Sequence, residues 1–275
     1  RLYGQIVIAA ASWIALWLQV GVEVLGTDAL ELADCEFVRP LVLADGQSCS
    51  VELSVEEAHA GAYRVIASAF GQTHGQTTVH PLRETEPGTC TSRLEPSRHA
   101  PIEGFYESFT SRGYTLGPAF QWMDSGRDHQ GIAERTLVKP DLPEDAESYV
   151  LFPGLVDSCF HSLGSLMEQA FTAGDGEGII VPAHIARFSL QRRPTRTNVF
   201  TAVGRRSSGA DCGPAGDVTL FDGTGEILCA IEEMRFGRLS RGALTRMQAV
   251  PLDVRYEKVE WHALELAGGD HGRRR

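Results

Sequence analysis

The hydrophobic and polar positions of the chain form a similar pattern twice, a long apolar run accompanied by several short, partly alternating segments. The first run, IVIAAASWIALWLQVGVEVLG at Ile6–Gly26, predicts a short strand that leads into a helix buried on all sides. The second run includes LFPGLVDSCFHSL at 151–163 and predicts a buried helix from about Gly154 to Phe171. The short segments are bounded by turn residues, which is typical of antiparallel strands.

This repeat predicts an α+β fold made of two similar units, each with a sheet wrapped around a central helix. A polar segment with three prolines, RETEPGTCTSRLEPSRHAP at 83–101, is the predicted linker between the units. The expected divisions are a first unit at 1–84, a linker at 85–100, a second unit at 101–247 and a charged exit linker at 248–275.

The apolar run at Ile6–Gly26 has an alternative interpretation as a signal peptide or a membrane span. Gln19 and Glu23 interrupt the run, and neither a basic cluster nor a small-residue cleavage site flanks it. We therefore favour a buried helix and expect no membrane association.

Composition and charge narrow the classes of function. The 275 residues are 43% hydrophobic and 22% charged, which is ordinary for a globular protein. A net charge of −11 argues against nucleic-acid binding, which requires a basic surface. The six cysteines are scattered without a CxxC pair, so we expect neither a zinc site nor a disulfide scaffold, and we expect a reducing cytoplasm. The histidines show no metal-ligand spacing.

Asp157 and His161 are the candidate chemical residues of the second apolar helix. Their spacing of i and i+4 places both on one helix face, where they can contact each other or a common ligand. Burial among apolar neighbours would raise the pKa of Asp157, as a general acid near neutral pH requires, and His161 could fix its rotamer. A polar pair with a structural role, or an exposed helix face, would have the same spacing.

Three segments, in this order, resemble the dehydratase domain of modular polyketide synthases. They are RLYGQIVIAAAS at 1–12, GYTLGPAFQWM at 113–123 and FPGLVDSCFH at 152–161. The corresponding family motifs are H-x-x-x-G-x-x-x-x-P, G-Y-x-Y-G-P-x-F and P-x-x-x-D-x-x-x-Q/H. Weaker similarity continues through VPAHIARFSL, EEMRFGRLSRGAL and RYEKVEW, so the resemblance extends over nearly the whole chain.

The resemblance implies a double hotdog, in which two helix-and-sheet units are fused. It also implies that Asp157 is the catalytic acid and His161 its hydrogen-bonding partner, both counted as catalytic residues. The residues implied to bind or support the substrate are Gly4, Tyr114, Leu116, Gly117, Pro118, Phe120 and Pro153.

The activity implied by the resemblance is that of a hydro-lyase. A β-hydroxyacyl thioester, carried on the phosphopantetheine arm of an acyl carrier protein, would lose water and become an α,β-unsaturated thioester. The N-terminus of the first buried helix, near Ala10 or Ala11, is the candidate to stabilise charge on the thioester oxygen. The family implies no metal and no cofactor of its own. The implied partners are the carrier protein, neighbouring synthase domains with a ketoreductase downstream, and a second copy in a homodimer.

Departures from the motifs keep other functions open. The family's catalytic histidine would stand one residue before Arg1, and the first strand of the first unit would also precede it. Either the sequence begins just after that histidine, as expected for part of a longer protein, or the base is absent. Ala9 stands at the proline position of the first motif, Leu116 replaces the second tyrosine, and Phe152 stands where the family often has histidine. The alternatives are an isomerase that moves a double bond from α,β to β,γ, a pyran-forming cyclase, or a catalytically inactive scaffold domain.

Overall fold

The structure is a computed structural model that describes residues 1–82, 100–167, 178–194, 197–207 and 215–247. The helices are α1 (Ala10–Leu25), α2 (Phe105–Ser111), α3 (Pro153–Met167) and α4 (Arg241–Met247), with 3₁₀ turns at Pro118–Phe120 and Glu144–Ser148. The strands are β1 (Ile6–Val7), β2 (Leu30–Glu36), β3 (Val42–Leu43), β4 (Glu52–His59), β5 (Ala62–Ala69), β6 (Gln72–Pro81), β7 (Ala100–Pro101), β8 (Met123–His129), β9 (Ile132–Val138), β10 (Ile179–Leu190), β11 (Val199–Arg206), β12 (Ala215–Phe221) and β13 (Ile227–Leu239). Most of the predicted linker and the whole exit linker lie outside the described residues.

One antiparallel sheet of eleven strands forms the frame of the described chain. Its order is β4-β5-β6-β2-β10-β13-β12-β11-β9-β8-β7, and β1 pairs separately with β3. The two halves of the sheet meet at β2 and β10, where Leu30 lies opposite Leu190 and Glu36 lies opposite His184. Helices α1 and α3 pack against this sheet and contact each other. The architecture is the α+β arrangement of two helix-and-sheet units that the repeated pattern predicts.

Helix α1 accounts for the apolar run that could have been a membrane span. Ile14, Trp17 and Leu18 are completely buried in the core of the protein. The helix ends at Gly26, whose positive φ of 68° and N–H bond to Val22 form a left-handed cap. Among the described helices, none combines the length and apolar character needed to cross a membrane.

Helix α3 begins at Pro153, one residue before the predicted start. Proline suits the first helical position because its missing N–H would have no intrahelical partner there. Leu155, Val156 and Leu163 are buried, which explains the apolar character of the segment. The structure describes the helix to Met167, and the remaining residues of the predicted helix lie outside the described part of the chain.

The pattern predicts a strand in HQGIAERTLVK at 129–139, which corresponds to β9, but it predicts neither strand β8 nor helix α4. Strand β8 is polar because its side chains pair with those of β9; Arg127 lies 2.7 Å from Glu134, and Asp128 lies 2.5 Å from Arg135. Helix α4 buries one side chain, Leu244, and is too short to show an amphipathic period. Neither element therefore has an alternating or helical hydrophobic pattern.

Candidate active site

The first and second motif segments lie side by side. Tyr3 donates its backbone N–H to Gly113 at 2.6 Å, and Thr115 donates its backbone N–H to Arg1 at 2.8 Å. An antiparallel bridge joins Leu2 to Tyr114 between these two bonds. Residues far apart in sequence thus form a short ladder that fixes the N-terminal segment beside GYTLGPAF.

Gly4 lies in the tight turn that follows this ladder. Leu2 and Gln5 exchange backbone hydrogen bonds of 2.9 Å, and Tyr3 and Gly4 between them have positive φ angles of 49° and 82°. Two successive positive φ angles are typical of a type I′ turn, in which glycine is favoured. Gly4 accepts a hydrogen bond from the Arg1 guanidinium at 3.0 Å, and it lies outside the cavity lining.

The second and third motifs meet at the beginning of α3. A Cβ atom on Gly154 would lie 2.0 Å from the carbonyl oxygen of Ala119, so only glycine permits this approach. The Trp122 indole donates to the same carbonyl at 2.9 Å. Gly154 and Trp122 therefore fix the Pro118–Phe120 turn against the first turn of α3, where Pro153 is buried.

Asp157 and His161 are in contact on α3. The His161 Nε2 atom lies 3.3 Å from the Asp157 Oδ2 atom, and each side chain is 12% exposed. The Phe109 ring of α2 packs edge-on against the His161 ring, with centroids 4.8 Å apart. The imidazole is therefore held between an aromatic ring and the carboxyl group.

Burial shifts both members of this pair toward their neutral forms. Loss of solvation raises the pKa of Asp157, and His161 opposes that shift only in part. Loss of solvation also lowers the pKa of His161. The His161 Nδ1 atom is buried and has no hydrogen-bond partner among the described residues, which leaves the Nε2 atom to contact Asp157. Burial therefore favours a protonated carboxyl over a carboxylate at Asp157, and a neutral imidazole over an imidazolium at His161.

The Tyr114 hydroxyl is engaged with the backbone of β10. It donates to the Ile180 carbonyl oxygen at 2.5 Å, and burial raises the pKa of this hydroxyl. The bond ties the second motif to the strand that joins the two halves of the sheet. Gly117 and Pro118 in the same motif are exposed.

A cavity of about 1160 Å³ lies where the three motifs meet. Arg1, Leu2 and Tyr3 contribute to its wall beside β10, β13 and the start of α1. The predicted site residues in the lining are Tyr114, Leu116, Gly117, Pro118, Phe120, Asp157 and His161. Gly4 and Pro153 support the elements around the cavity and lie outside its lining.

Several lining residues were missed by the sequence prediction. Phe160 and Gly164 follow Asp157 by three and seven positions, so helical spacing could have placed them on the same face. Phe109 comes from another element, and no local signal relates it to Asp157. The remaining missed residues include Tyr3, Trp13, Phe37, Val181 and Phe236.

Three arginines that were also missed, Arg39, Arg112 and Arg238, line the cavity of a protein with a net charge of −11. Arg39 and Arg112 are exposed. Arg39 donates to the neutral side chain of Gln72 at 2.7 Å, so its charge is not compensated in that bond. The cavity edge can therefore attract an anionic group. In the described part of the chain, no three His, Cys, Asp or Glu side chains are grouped closely enough to share a metal ion.

Comparison with known proteins identifies relatives of the whole chain. Residues 84–246 match the family model of the polyketide synthase dehydratase N-terminal domain. A mycocerosic acid synthase-like polyketide synthase of Mycobacterium tuberculosis is 24% identical over 98% of this chain and 13% of its own length. The highly reducing polyketide synthase ATR6 of Stachybotrys chlorohalonatus is 26% identical over 84% of this chain and 10% of its own length. The chain thus spans a small part of these relatives.

Solved structures show the same double-hotdog fold, which confirms the predicted architecture. The dehydratase domain from the CurK module of curacin polyketide synthase has a TM-score of 0.76 and 21% identity, with 88% of each chain covered. The dehydratase domain of PpsC from Mycobacterium tuberculosis, solved in complex with C12:1-CoA, has a TM-score of 0.72 and 19% identity, with 86% of this chain and 87% of that chain covered. The family model covers more than half of the sequence. The chain is therefore a member of the polyketide synthase dehydratase family.

Proposed function

We propose that the chain dehydrates a β-hydroxyacyl thioester, carried by an acyl carrier protein, to an α,β-unsaturated thioester. The observation that carries this proposal is the buried Asp157 carboxyl, which faces the cavity and contacts His161 at 3.3 Å. Elimination of hydroxide needs an acid that is protonated at the pH of the cell, and burial of Asp157 favours the protonated form. The proposed reaction needs no metal or cofactor of the chain's own.

Asp157 would act as the acid, and His161 as its partner in the site. If the neutral imidazole donates its Nε2–H to Asp157 Oδ2, the other carboxyl oxygen is left to carry the proton. That proton would pass to the β-hydroxyl group of the substrate as the bond between carbon and oxygen breaks. Phe109 limits rotation of the imidazole and so would help to hold the acid in one orientation.

The proposed base is a histidine joined to the backbone nitrogen of Arg1. That nitrogen donates to the Thr115 carbonyl oxygen at 2.6 Å, and Arg1 and Asp157 line the same cavity. A residue attached there would begin at the cavity wall. Dehydration requires a base within reach of the α-proton and an acid within reach of the β-hydroxyl group of the same bound substrate.

The N-terminus of α1 is the proposed site for the thioester oxygen. Ala9, which has no side-chain capping bond, and Ala10 both line the cavity. The first N–H groups of a helix have no intrahelical acceptor and carry the positive end of the helix dipole. They would stabilise the negative charge that develops on the oxygen as the α-proton leaves.

The proposed step balances without an oxidant or reductant. The base takes the α-proton, the electrons of the broken C–H bond form the carbon–carbon double bond, and the C–O bond breaks. Asp157 gives its proton to the departing hydroxide, which leaves as water. Exchange with solvent then removes the proton from the base and returns one to Asp157.

The arginines at the cavity edge support a substrate carried on a phosphopantetheine arm. The phosphate of that arm and an acidic carrier protein would both be attracted to Arg39, Arg112 and Arg238. Neighbouring synthase domains, with a ketoreductase supplying the β-hydroxyl group, remain the proposed partners. We also propose a homodimer in the cytoplasm.

A dehydratase-like isomerase or cyclase is the second candidate. Leu116 lines the cavity where the family motif has a tyrosine, so this position offers no hydroxyl group to hold a leaving group. Migration of a double bond needs a base and a proton relay but no acid for loss of hydroxide. A catalytically inactive scaffold domain would explain the same departures from the motif.

The proposed function is tested with the polyketide synthase polypeptide that contains this chain. A β-hydroxyacyl carrier protein is supplied in deuterated water, and the product is followed by mass spectrometry and NMR. Loss of one water with formation of the α,β-alkene supports dehydration. Unchanged hydroxyacyl substrate, together with deuterium entry at the γ-carbon of a supplied enoyl thioester, would make isomerisation the function.

Two variants separate chemistry from folding. Asp157→Asn removes the acid and is expected to abolish dehydration, whereas Asp141→Asn makes the same change at an exposed residue outside the cavity lining and is expected to retain it. If neither substrate reacts and Asp157→Asn changes nothing, the scaffold function is the better description.

A further inference from the structure

Gly164 is a glycine in the interior of α3 for which packing gives no reason. A Cβ atom at this position would meet no atom of the described residues within 4 Å. Glycine is unfavourable inside a helix because it loses more backbone entropy than alanine does. Helix stability therefore favours a larger residue at position 164, and the described residues leave space for one.

The other helical glycines near the core are explained by close contacts. A Cβ on Gly21 of α1 would lie 2.9 Å from the Leu30 side chain, and a Cβ on Gly154 would lie 2.0 Å from the Ala119 carbonyl. A residue that departs from local preference without a packing reason is expected to serve function. Gly164 meets that description.

Gly164 lies on the face of α3 that borders the cavity. Asp157, Phe160, His161 and Gly164 all line it, with the spacing i, i+3, i+4 and i+7 of one helix face. A missing side chain at Gly164 therefore enlarges the same cavity into which the Asp157 carboxyl faces.

The position of the cavity mouth shows which end of this helix face a substrate would meet first. The exposed Gly117 and Pro118 line the cavity, and their turn packs against α3 at Gly154. The cavity thus has an opening beside the first turn of α3. Gly164 is two helical turns beyond Asp157, about 10 Å along the axis at 1.5 Å per residue. A substrate that enters at the mouth and reacts at Asp157 would extend its remaining chain toward Gly164.

We propose that Gly164 determines the length of the acyl chain that the cavity accepts, and that the preferred substrates carry long aliphatic chains. This inference rests on the proposed function, because it takes the thioester to react at Asp157. Apolar side chains of β10 and β13 line the same cavity and are suited to an aliphatic chain. They are Ile179, Val181, Phe236 and Leu239.

The test measures binding of enoyl pantetheine thioesters, so that it does not depend on turnover. Butenoyl, octenoyl and dodecenoyl pantetheine are titrated into the full chain by calorimetry. We expect the wild-type chain to bind the dodecenoyl probe more tightly than the butenoyl probe, because more apolar surface is buried. Gly164→Leu is expected to reduce the ratio of these affinities by about tenfold, since a side chain would occupy the space of several methylene groups.

Gly242→Leu is the matched control, because Gly242 is an exposed helical glycine of α4 outside the cavity lining. It is expected to keep the wild-type affinity ratio. Thermal unfolding checks both variants, and if Gly164→Leu does not fold, Gly164→Ala and the wild-type length series carry the test.

Equal affinity of the wild-type chain for all three probes would overturn the inference. An equal loss of affinity for all three probes in Gly164→Leu would also overturn the inference, because this result would place Gly164 beside the pantetheine arm. If the leucine variant does not fold, the same result in Gly164→Ala has the same meaning. The proposed function fails separately, when the hydroxyacyl substrate is not dehydrated although the enoyl probes bind with the expected dependence on length.

Discussion

Gly154 and the carbonyl oxygen of Ala119 approach so closely that a Cβ atom on Gly154 would lie 2.0 Å from that oxygen. The contact joins the exposed edge of the cavity to the first turn of α3. Asp157 follows Gly154 by three residues on the same helix, so the position of its carboxyl group depends on this contact. Loss of the contact would displace the acid without changing it chemically.

Gly154→Ala is therefore expected to destabilise the fold by about 1–3 kcal/mol, the usual effect of excess volume in a packed core. Gly164→Ala adds the same methyl group to the same helix in open space and is expected to raise the free energy of unfolding by up to about 1 kcal/mol. Urea unfolding of both variants measures the difference. Equal stability of the two variants would contradict the close packing at Gly154.

Asp157→Asn is expected to lower kcat for dehydration by about 10²–10⁴-fold, the usual contribution of a positioned acid. The amide is nearly the same size as the carboxyl but cannot donate the proton that hydroxide needs. Single-turnover measurements with the hydroxyacyl carrier protein give the chemical step directly. Retention of kcat within about twofold would exclude Asp157 as the acid.

His161→Ala is expected to move the alkaline limb of the pH–rate profile to higher pH. Interaction with His161 lowers the pKa of Asp157, and its removal lets burial raise that pKa further. The acid would then stay protonated over a wider range of pH. His161→Gln keeps a side-chain donor and follows the family motif, so its kcat should exceed that of the alanine variant. An unchanged profile in both variants would mean that His161 does not influence the acid.

The stability of Asp157→Asn relative to wild type is expected to increase with pH. Burial raises the pKa of Asp157 above 3.8, so the folded chain holds the proton more tightly than the unfolded chain does. The favourable contribution of Asp157 to the free energy of unfolding is present below pH 3.8 and is lost as the pH rises through the pKa of Asp157 in the folded chain. Asparagine does not ionise, so the stability of the variant has no such dependence on pH at this position. The difference in Tm between the two proteins, measured from acid to neutral pH, tests the sign; a decrease would contradict the burial effect.

Ala9→Pro is expected to stabilise the chain by about 0.4–1 kcal/mol, because proline restricts the unfolded state. The φ angle of Ala9 is −66°, which proline adopts without strain. Within the described residues, the Ala9 N–H makes no hydrogen bond that proline would remove. A lower Tm for the variant would show that the start of α1 needs the smaller residue.

Helical periodicity made part of the site predictable. The spacing of Asp157 and His161 fixes them on one face of α3, and the structure places their side chains in contact. The same rule, applied three and seven residues from Asp157, would have included Phe160 and Gly164. Local spacing within one helix is sufficient for these four positions.

Contacts between distant segments could not be predicted from local patterns. Arg39, Arg112 and Arg238 come from a loop, the end of α2 and β13, and no sequence spacing indicates that they share a cavity. The contact between Gly154 and Ala119 likewise depends on tertiary packing. Strand β8 was missed because paired charges replace the apolar alternation by which a strand is recognised, as at Arg127 and Glu134.

The pairing of β2 with β10 has a consequence for biosynthesis. Leu30, near the beginning of the chain, reaches its neighbour in the sheet only when Leu190 has been synthesised. Until then β2 has one unpaired edge, which can pair with other chains. Closing such a long loop slows folding because its entropy is lost before the native contacts form. Substitutions in β10 should therefore lower the yield of soluble protein more than equally destabilising substitutions in the local hairpin of β4 and β5.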